Sequence, residues 1–225
     1  MKTREKILHQ AREMFNARGI AAVSSRNISE EMGISYGNLC YHFPRKDDII
    51  LQLYRDMQTE LDLEVANLKA EIFRFDFMVR SLRKMLEVHY RYKFIFLDLS
   101  SLSRKFPFIQ EHARRQYQFR VAICREIYDF LMQEGYLKME KKEGHYDKLV
   151  HSVLMILNAW IVDSEIYYEG SENKKVDHYL EMIYRFVSSS LTKEGAEAFM
   201  KVYLDPPWGE KNEESNLPKP RPQEP

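Results

Sequence analysis

The residues of this chain that could carry specific chemistry are concentrated in Ser24 to Ile50, SSRNISEEMGISYGNLCYHFPRKDDII. The stretch reads as a short helix, a glycine turn and a second short helix. In the second helix Leu39 and Phe43 stand four apart and face inward with Ile34 of the turn. Gly37 and Tyr41 fall on the opposite face, Asn38 and His42 flank them, and Tyr36 and Cys40 sit at the core edge. Such a face suits the groove of a nucleic acid. Gly37 has no side chain, so a backbone or a thymine methyl can come close. Tyr41 and His42 can donate to phosphate oxygens. Lys46 adds a charge at the start of the next helix, whose N-terminus itself attracts phosphate. The preceding helix contributes Ser25 and Arg26. This layout places the second short helix in the major groove of double-stranded DNA while its neighbours hold the backbone.

Charge supports a polyanionic partner. The whole chain has 34 basic and 34 acidic residues, but residues 1–46 hold eight basic residues against four acidic ones. A basic front end on a neutral chain fits DNA, and a solvated helix face is the alternative from charge alone.

The elements that must position these residues are helices. Only eight glycines and eight prolines occur in 225 residues, and six of the prolines lie between Pro206 and Pro225, so the body is nearly free of breakers. Ile7, Leu8, Ala11, Met14 and Phe15 recur at helical spacing over Thr3 to Arg18, and Gly19 is a stop. Ser24 or Ser25 caps the second helix, which ends before Gly33. Ser35 caps the third, about Tyr36 to His42, which ends at Pro44. A fourth runs from Lys46 to the Leu68 region, with Asp47 and Asp48 in its first turn. Further helices are expected over Phe75–Tyr92, Phe94–Arg104, a long segment ending at Glu134 before Gly135, His145–Glu169, and Val176 to about Leu204, the last either one helix or two broken at Gly195. No alternating strand pattern is present. The predicted architecture is all-α: a three-helix helix-turn-helix domain over 1–46, a larger helical domain over 47–204, and a proline-rich disordered tail over 205–225.

The run GISYGNLCYHFPRKDDI resembles the signature of the TetR family of bacterial transcriptional regulators, a hydrophobe-Ser-x-Gly-x-Leu-Tyr-x-x-Phe-x-x-Lys pattern after a short helix. Ile34, Ser35, Gly37, Leu39, Phe43 and Lys46 match it, and Ile7, Ala11, Phe15 and Gly19 match the family's first helix. The resemblance covers about residues 3–55. It implies a cytoplasmic homodimer on a palindromic operator, with an effector site and a dimer contact in the C-terminal helices. The dimer contact then falls on Tyr146–Glu169 and Val176–Leu204, where Val150, Val153, Leu154, Leu157, Trp160 and Ile161 are more apolar than one contact face requires. The chain departs from the pattern at Cys40, where tyrosine is usual, and at Tyr36, where lysine is common. An atypical base preference follows.

A ligand site needs polar groups on apolar faces, which nominates His89, Tyr117 and Asn158 for a small, largely apolar effector. The functional reading is therefore a repressor released by that effector. Asp147 and His151 are four apart and read as a surface pair rather than a metal site, and Cys124 reads as a buried thiol. No phosphate-binding glycine loop, nucleophile elbow, zinc motif or cofactor motif occurs, so no enzyme is expected. No stretch reaches about 18 uninterrupted apolar residues, so no membrane span is expected. The rival class is a helical protein-interaction module without DNA binding.

Overall fold

Glycines and caps set most of the helix limits in the computed structural model, which describes residues 2–70, 75–140 and 142–204. The elements are α1 (Thr3–Ala22), α2 (Ser25–Glu31), α3 (Tyr36–His42), α4 (Lys46–Ala70), α5 (Phe75–Arg91), α6 (Lys93–Leu97), α7 (Leu99–Lys105), α8 (Pro107–Gln133), α9 (His145–Ile166), α10 (Lys175–Ser188) and α11 (Lys193–Leu204). One 3-10 turn, Glu172–Lys174, precedes α10. Among the described residues there is no strand. The proline-rich tail expected over 205–225 lies outside the described residues.

Gly19 breaks α1 where the sequence places a stop: its backbone sits at φ 76°, ψ 158°, a region only glycine enters without strain, and one more turn follows to Ala22. Two expectations change. The segment Phe94–Arg104 is two helices, with the chain leaving helical geometry at Asp98 (φ −106°, ψ 9°). The break expected at Gly195 falls instead between Ser188 and Lys193. There Lys138 N–H donates to Ser190 O at 2.9 Å and Thr192 N–H to Tyr136 O at 3.0 Å, so this turn is zipped to the one after α8. Gly195 lies inside α11, and a Cβ there would come 2.1 Å from Tyr136 O. Its role is close packing, not interruption.

The largest core joins α1, α2, α3 and the first half of α4 to α6, α7 and the start of α8. Ile7, Phe15, Ile28, Leu39, Ile49 and Phe94 are buried in it. Phe15 and Phe94 meet at 5.3 Å between ring centres, and burying each ring contributes about 1.5–3 kcal/mol. Asn16 fastens the same junction: its Nδ2 donates to Arg91 O at 2.9 Å and its Oδ1 accepts from Phe94 N at 3.1 Å. The packing therefore runs without a gap across residue 46. A second core gathers α5, α9, α10 and α11 around Trp160. A third lies around Leu131, Leu149 and Leu191.

Helix α9 has two apolar faces. Val150, Val153, Leu154, Trp160 and Ile161 are buried within the chain. These are residues the sequence offered as surplus for a dimer, and the packing of α5, α8 and α10 against α9 takes them up. The surplus lies on the other face, where Met155, Val162 and Ile166 are exposed. By length and mean hydropathy (1.4) α9 would also pass as a membrane span, but its buried face is the core of this helical layer.

Candidate nucleic-acid interface and ligand cavities

Local capping builds the helix-turn-helix. The Ser24 hydroxyl accepts from Asn27 N–H at 3.1 Å, and Asn27 Oδ1 accepts from Ser24 N–H at 3.0 Å. Ser24 is thus the cap, which leaves Ser25 as the first helical residue of α2. After the Gly33 turn, Ile34 N–H donates to Ser29 O at 3.0 Å. Ser35 Oγ then caps α3 by accepting from Asn38 N–H at 3.1 Å. Leu39 and Phe43 anchor α3 in the core, and this fixes which face points out.

The outward face is the expected one. Tyr41 is 83% exposed and Tyr36 is 47% exposed, while Gly37 and Asn38 are also exposed. His42 is partly buried and meets the Tyr41 ring edge-on at 5.2 Å. A Cβ added to Gly37 would meet nothing within 4 Å, so internal packing does not require glycine there. Arg26, exposed on α2, places its guanidinium 5.6 Å from the Tyr36 ring centre. The Cys40 thiol one turn on raises the Tyr36 phenol pKa. The residues at the two unusual positions are thus one turn apart and within electrostatic reach of each other.

Lys46 stands differently from its sequence reading. Its Nζ donates to Ile20 O at 2.9 Å and Val23 O at 2.8 Å. The ammonium joins the start of α4 to the end of α1, and two of its three donors are already engaged. Asp48 caps the same helix start, accepting from Arg45 N–H at 3.0 Å.

Among the described residues the helical domain holds a polar and an apolar cavity. One, about 510 Å³, is lined by polar groups including Tyr54, Gln58, Gln116, Tyr117 and Asn158. The other, about 200 Å³, is lined almost wholly by apolar side chains, from α4, α5, α8, α9, α10, α11 and the turns at Leu137 and Leu191. Two of the three nominated ligand residues, Tyr117 and Asn158, therefore share the polar cavity. Tyr117 Oη lies 2.7 Å from His151 Nδ1. His89 lines neither cavity. It is buried, its Nδ1 accepts from Trp160 Nε1 at 3.4 Å, and its ring packs on Phe96 at 4.4 Å. Burial, helped by the charge of Arg120, pushes its pKa down to about 3, so it is neutral. Asp147 pairs with Arg125 at 2.8 Å.

The sequence reading missed Arg120, the residue that lines both cavities. A signal was available: Arg120 falls between Tyr117 and Cys124 on the apolar stripe of α8, where a charge is out of place. Burial pushes the Cys124 thiol up to about 11, so it is a protonated, inert group.

Comparison with known proteins covers both parts of the chain. A family model described as bacterial regulatory proteins, tetR family, matches residues 7–53. A second, described as TetR, bacterial transcriptional repressor, matches residues 56–199. No curated protein matches the chain. Among solved structures, a TetR-family transcriptional regulator from Marinobacter aquaeolei VT8 is 22% identical over 90% of this chain and 98% of its own, with a TM-score of 0.79. A putative transcriptional regulator from Saccharomonospora viridis in complex with choline is 20% identical over 84% and 96%, with a TM-score of 0.63. The ketosteroid transcriptional regulator KstR2 of Mycobacterium tuberculosis is 20% identical over 85% and 96%, with a TM-score of 0.61.

Proposed function

The chain belongs to the TetR family of bacterial transcriptional regulators, DNA-binding proteins with a helix-turn-helix ahead of a helical domain, and from that premise we propose that it is a cytoplasmic repressor. It occupies a palindromic operator as a homodimer and leaves it when a small molecule enters the helical domain. The observation that carries the DNA reading is the outer face of α3. Gly37 is not demanded by packing, and Tyr41, fully turned out, has no hydrogen-bonding role within the described chain. Ser25, Arg26, Tyr36, Gly37, Asn38, Tyr41 and His42 are the proposed contacts, and Lys46 holds the unit that presents them.

A dimer is supported by exposed apolar side chains on two neighbouring helices: Met155, Val162 and Ile166 on α9, and Met182 and Phe186 on α10. A two-fold contact there would make a four-helix bundle. Two recognition helices must then enter major grooves about 34 Å apart or a multiple of that. An effector is supported by the two cavities, and two of the similar structures are described by a small molecule or a ligand class. A coupling of about 1–3 kcal/mol would lower DNA affinity roughly 5- to 150-fold.

The test is selection of genomic fragments by the full-length protein, followed by fluorescence anisotropy on the enriched fragment. Affinity is expected to fall with salt at a log–log slope of about −0.9 per neutralised phosphate. Failure to retain any fragment at low salt, with the protein folded, would overturn the reading in favour of a helical interaction module.

A further inference from the structure

Resting on the effector reading, we infer that the ligand is a monocarboxylate with an extended apolar body, its carboxylate held by Arg120 and its body in the apolar cavity. The apolar cavity is walled by side chains such as Met78, Leu82, Ile127, Leu154, Ile183 and Phe199, and Arg120 is the charged residue in its lining. The same arginine opens onto the polar cavity, where Tyr54, Gln116 and Asn158 provide groups able to meet the second carboxylate oxygen or its water.

Among the described residues Arg120 has no hydrogen-bond or ion-pair partner. Other arginines of the helical domain take carboxylates: Arg91 with Glu60, Arg125 with Asp147, and Arg185 with Glu181. Arg120 forms no hydrogen bond or ion pair with any described residue. Its surroundings are titratable but do not neutralise it. Tyr54 and Cys124 are protonated, their pKa values pushed up to about 12 and about 11 by burial. His89 and His112 are pushed down, by burial first and also by the charge of Arg120. Asp62, within electrostatic reach, is exposed and accepts from Gln116 at 3.4 Å.

A guanidinium keeps its proton and offers five donors in a planar fork. Left unpaired inside a protein it is costly, and a carboxylate removes that cost with two parallel hydrogen bonds. An uncharged apolar ligand would leave the charge uncompensated. A cation would add repulsion. The apolar cavity excludes a compact hydrophilic anion as the whole ligand, because such an anion would leave the apolar walls unfilled. Charge and shape together select a carboxylate headgroup on a hydrocarbon body.

The test uses the full-length protein without DNA and three probes of one chain length: sodium decanoate, 1-decanol and decylamine. Calorimetric titration is expected to show decanoate binding about 10- to 100-fold more tightly than decanol, with decylamine weakest. Arg120→Met should reduce decanoate to the level of decanol. It should leave the melting temperature equal or higher, because it removes an unpaired, half-buried charge. Arg120→Lys should retain part of the preference, as a point charge without the fork. Equal binding of decanoate and decanol to the unmutated protein would overturn the proposal, and that comparison stands whatever the variants do. Undiminished decanoate affinity in Arg120→Met would overturn it as well. DNA affinity, measured separately by anisotropy, distinguishes the two levels. Decanoate that binds through Arg120 without weakening DNA binding keeps the ligand class and removes the effector reading.

Discussion

Replacing Lys46 with methionine separates a structural role from a phosphate contact. The ammonium donates to two carbonyls at the end of α1, at 2.9 and 2.8 Å, in a partly buried setting. Methionine keeps the stem and removes both bonds. A hydrogen bond from a charged donor contributes about 1.5–3 kcal/mol. Water can reach part of this site, so the lower half of that range applies and the pair is worth about 3–4.5 kcal/mol. For a chain of this length the corresponding fall in Tm is roughly 6–18 °C. The salt slope of DNA binding should not change, because no phosphate contact is lost. Thermal melts followed by circular dichroism give the first quantity. Anisotropy titrations between about 50 and 200 mM salt give the second. An unchanged Tm, with the slope reduced by about 0.9 per protomer, would refute this reasoning and return Lys46 to the DNA backbone.

Tyr41→Ala should weaken all DNA sequences alike, whereas Tyr36→Ala, at the start of α3 beside Arg26, should change which sequences are preferred; parallel selections with the two variants check this, and equal, sequence-independent losses would contradict it. Val162→Glu, on the exposed face of α9, should convert a dimer to a monomer by light scattering at micromolar concentration with little change in helicity; a dimer that persists would move the interface elsewhere. His89 has a folded pKa of about 3 against about 6.5 unfolded. The unfolded chain therefore binds the extra proton, and this contribution is complete above about pH 6.5 and is lost as pH falls toward 3. Urea denaturation should give about 2 kcal/mol less stability at pH 5 than at pH 7 from this group. His89→Gln should remove that difference, and a variant with an unaltered pH dependence would place the titration elsewhere.

The helix-turn-helix was legible because its determinants are local. Ser24, Gly33 and Ser35 set caps and a turn within three or four residues of the groups they serve, and the Leu39–Phe43 spacing alone orients α3. The break before Lys193 was not legible, because it depends on neighbours far along the chain. The turn at Ser190 is fixed by carbonyl and amide groups of Tyr136 and Lys138, some fifty residues away. His89 looked like a ligand group for a related reason. A histidine on an apolar stripe has the same pattern whether it faces a cavity or, as here, Trp160 and Phe96. Lys46 matched a signature position, yet the signature does not say whether its ammonium meets phosphate or the carbonyls of Ile20 and Val23.

How a ligand in the helical domain could reach DNA follows from where the three-helix unit is held. Its first attachment is the start of α4: Ile49, Ile50 and Leu53 are buried in the common core, and Lys46 grips the end of α1. The second is Asn16, which bonds to the backbone at Arg91 and Phe94 where α5 meets α6. Both attachments lead to cavity walls. Helix α4 lines the polar cavity through Tyr54 and Met57 and the apolar one through Val65 and Leu68, while α5 lines the apolar cavity and α6 the polar one. A ligand that moves α4 relative to the α5–α6 junction therefore loads the unit at two points. The unit's own core is well packed, with Phe15, Ile28 and Leu39 buried, so it responds as a body rather than by distorting α3. Rotation of a rigid body changes little about one recognition helix in one half-site. It changes the spacing of two such helices in a dimer, and two half-sites on one duplex tolerate little change. In the proposed repressor, release by ligand would then be a property of the dimer: a protomer kept monomeric would bind a single half-site weakly and with the same affinity whether or not the cavity is filled.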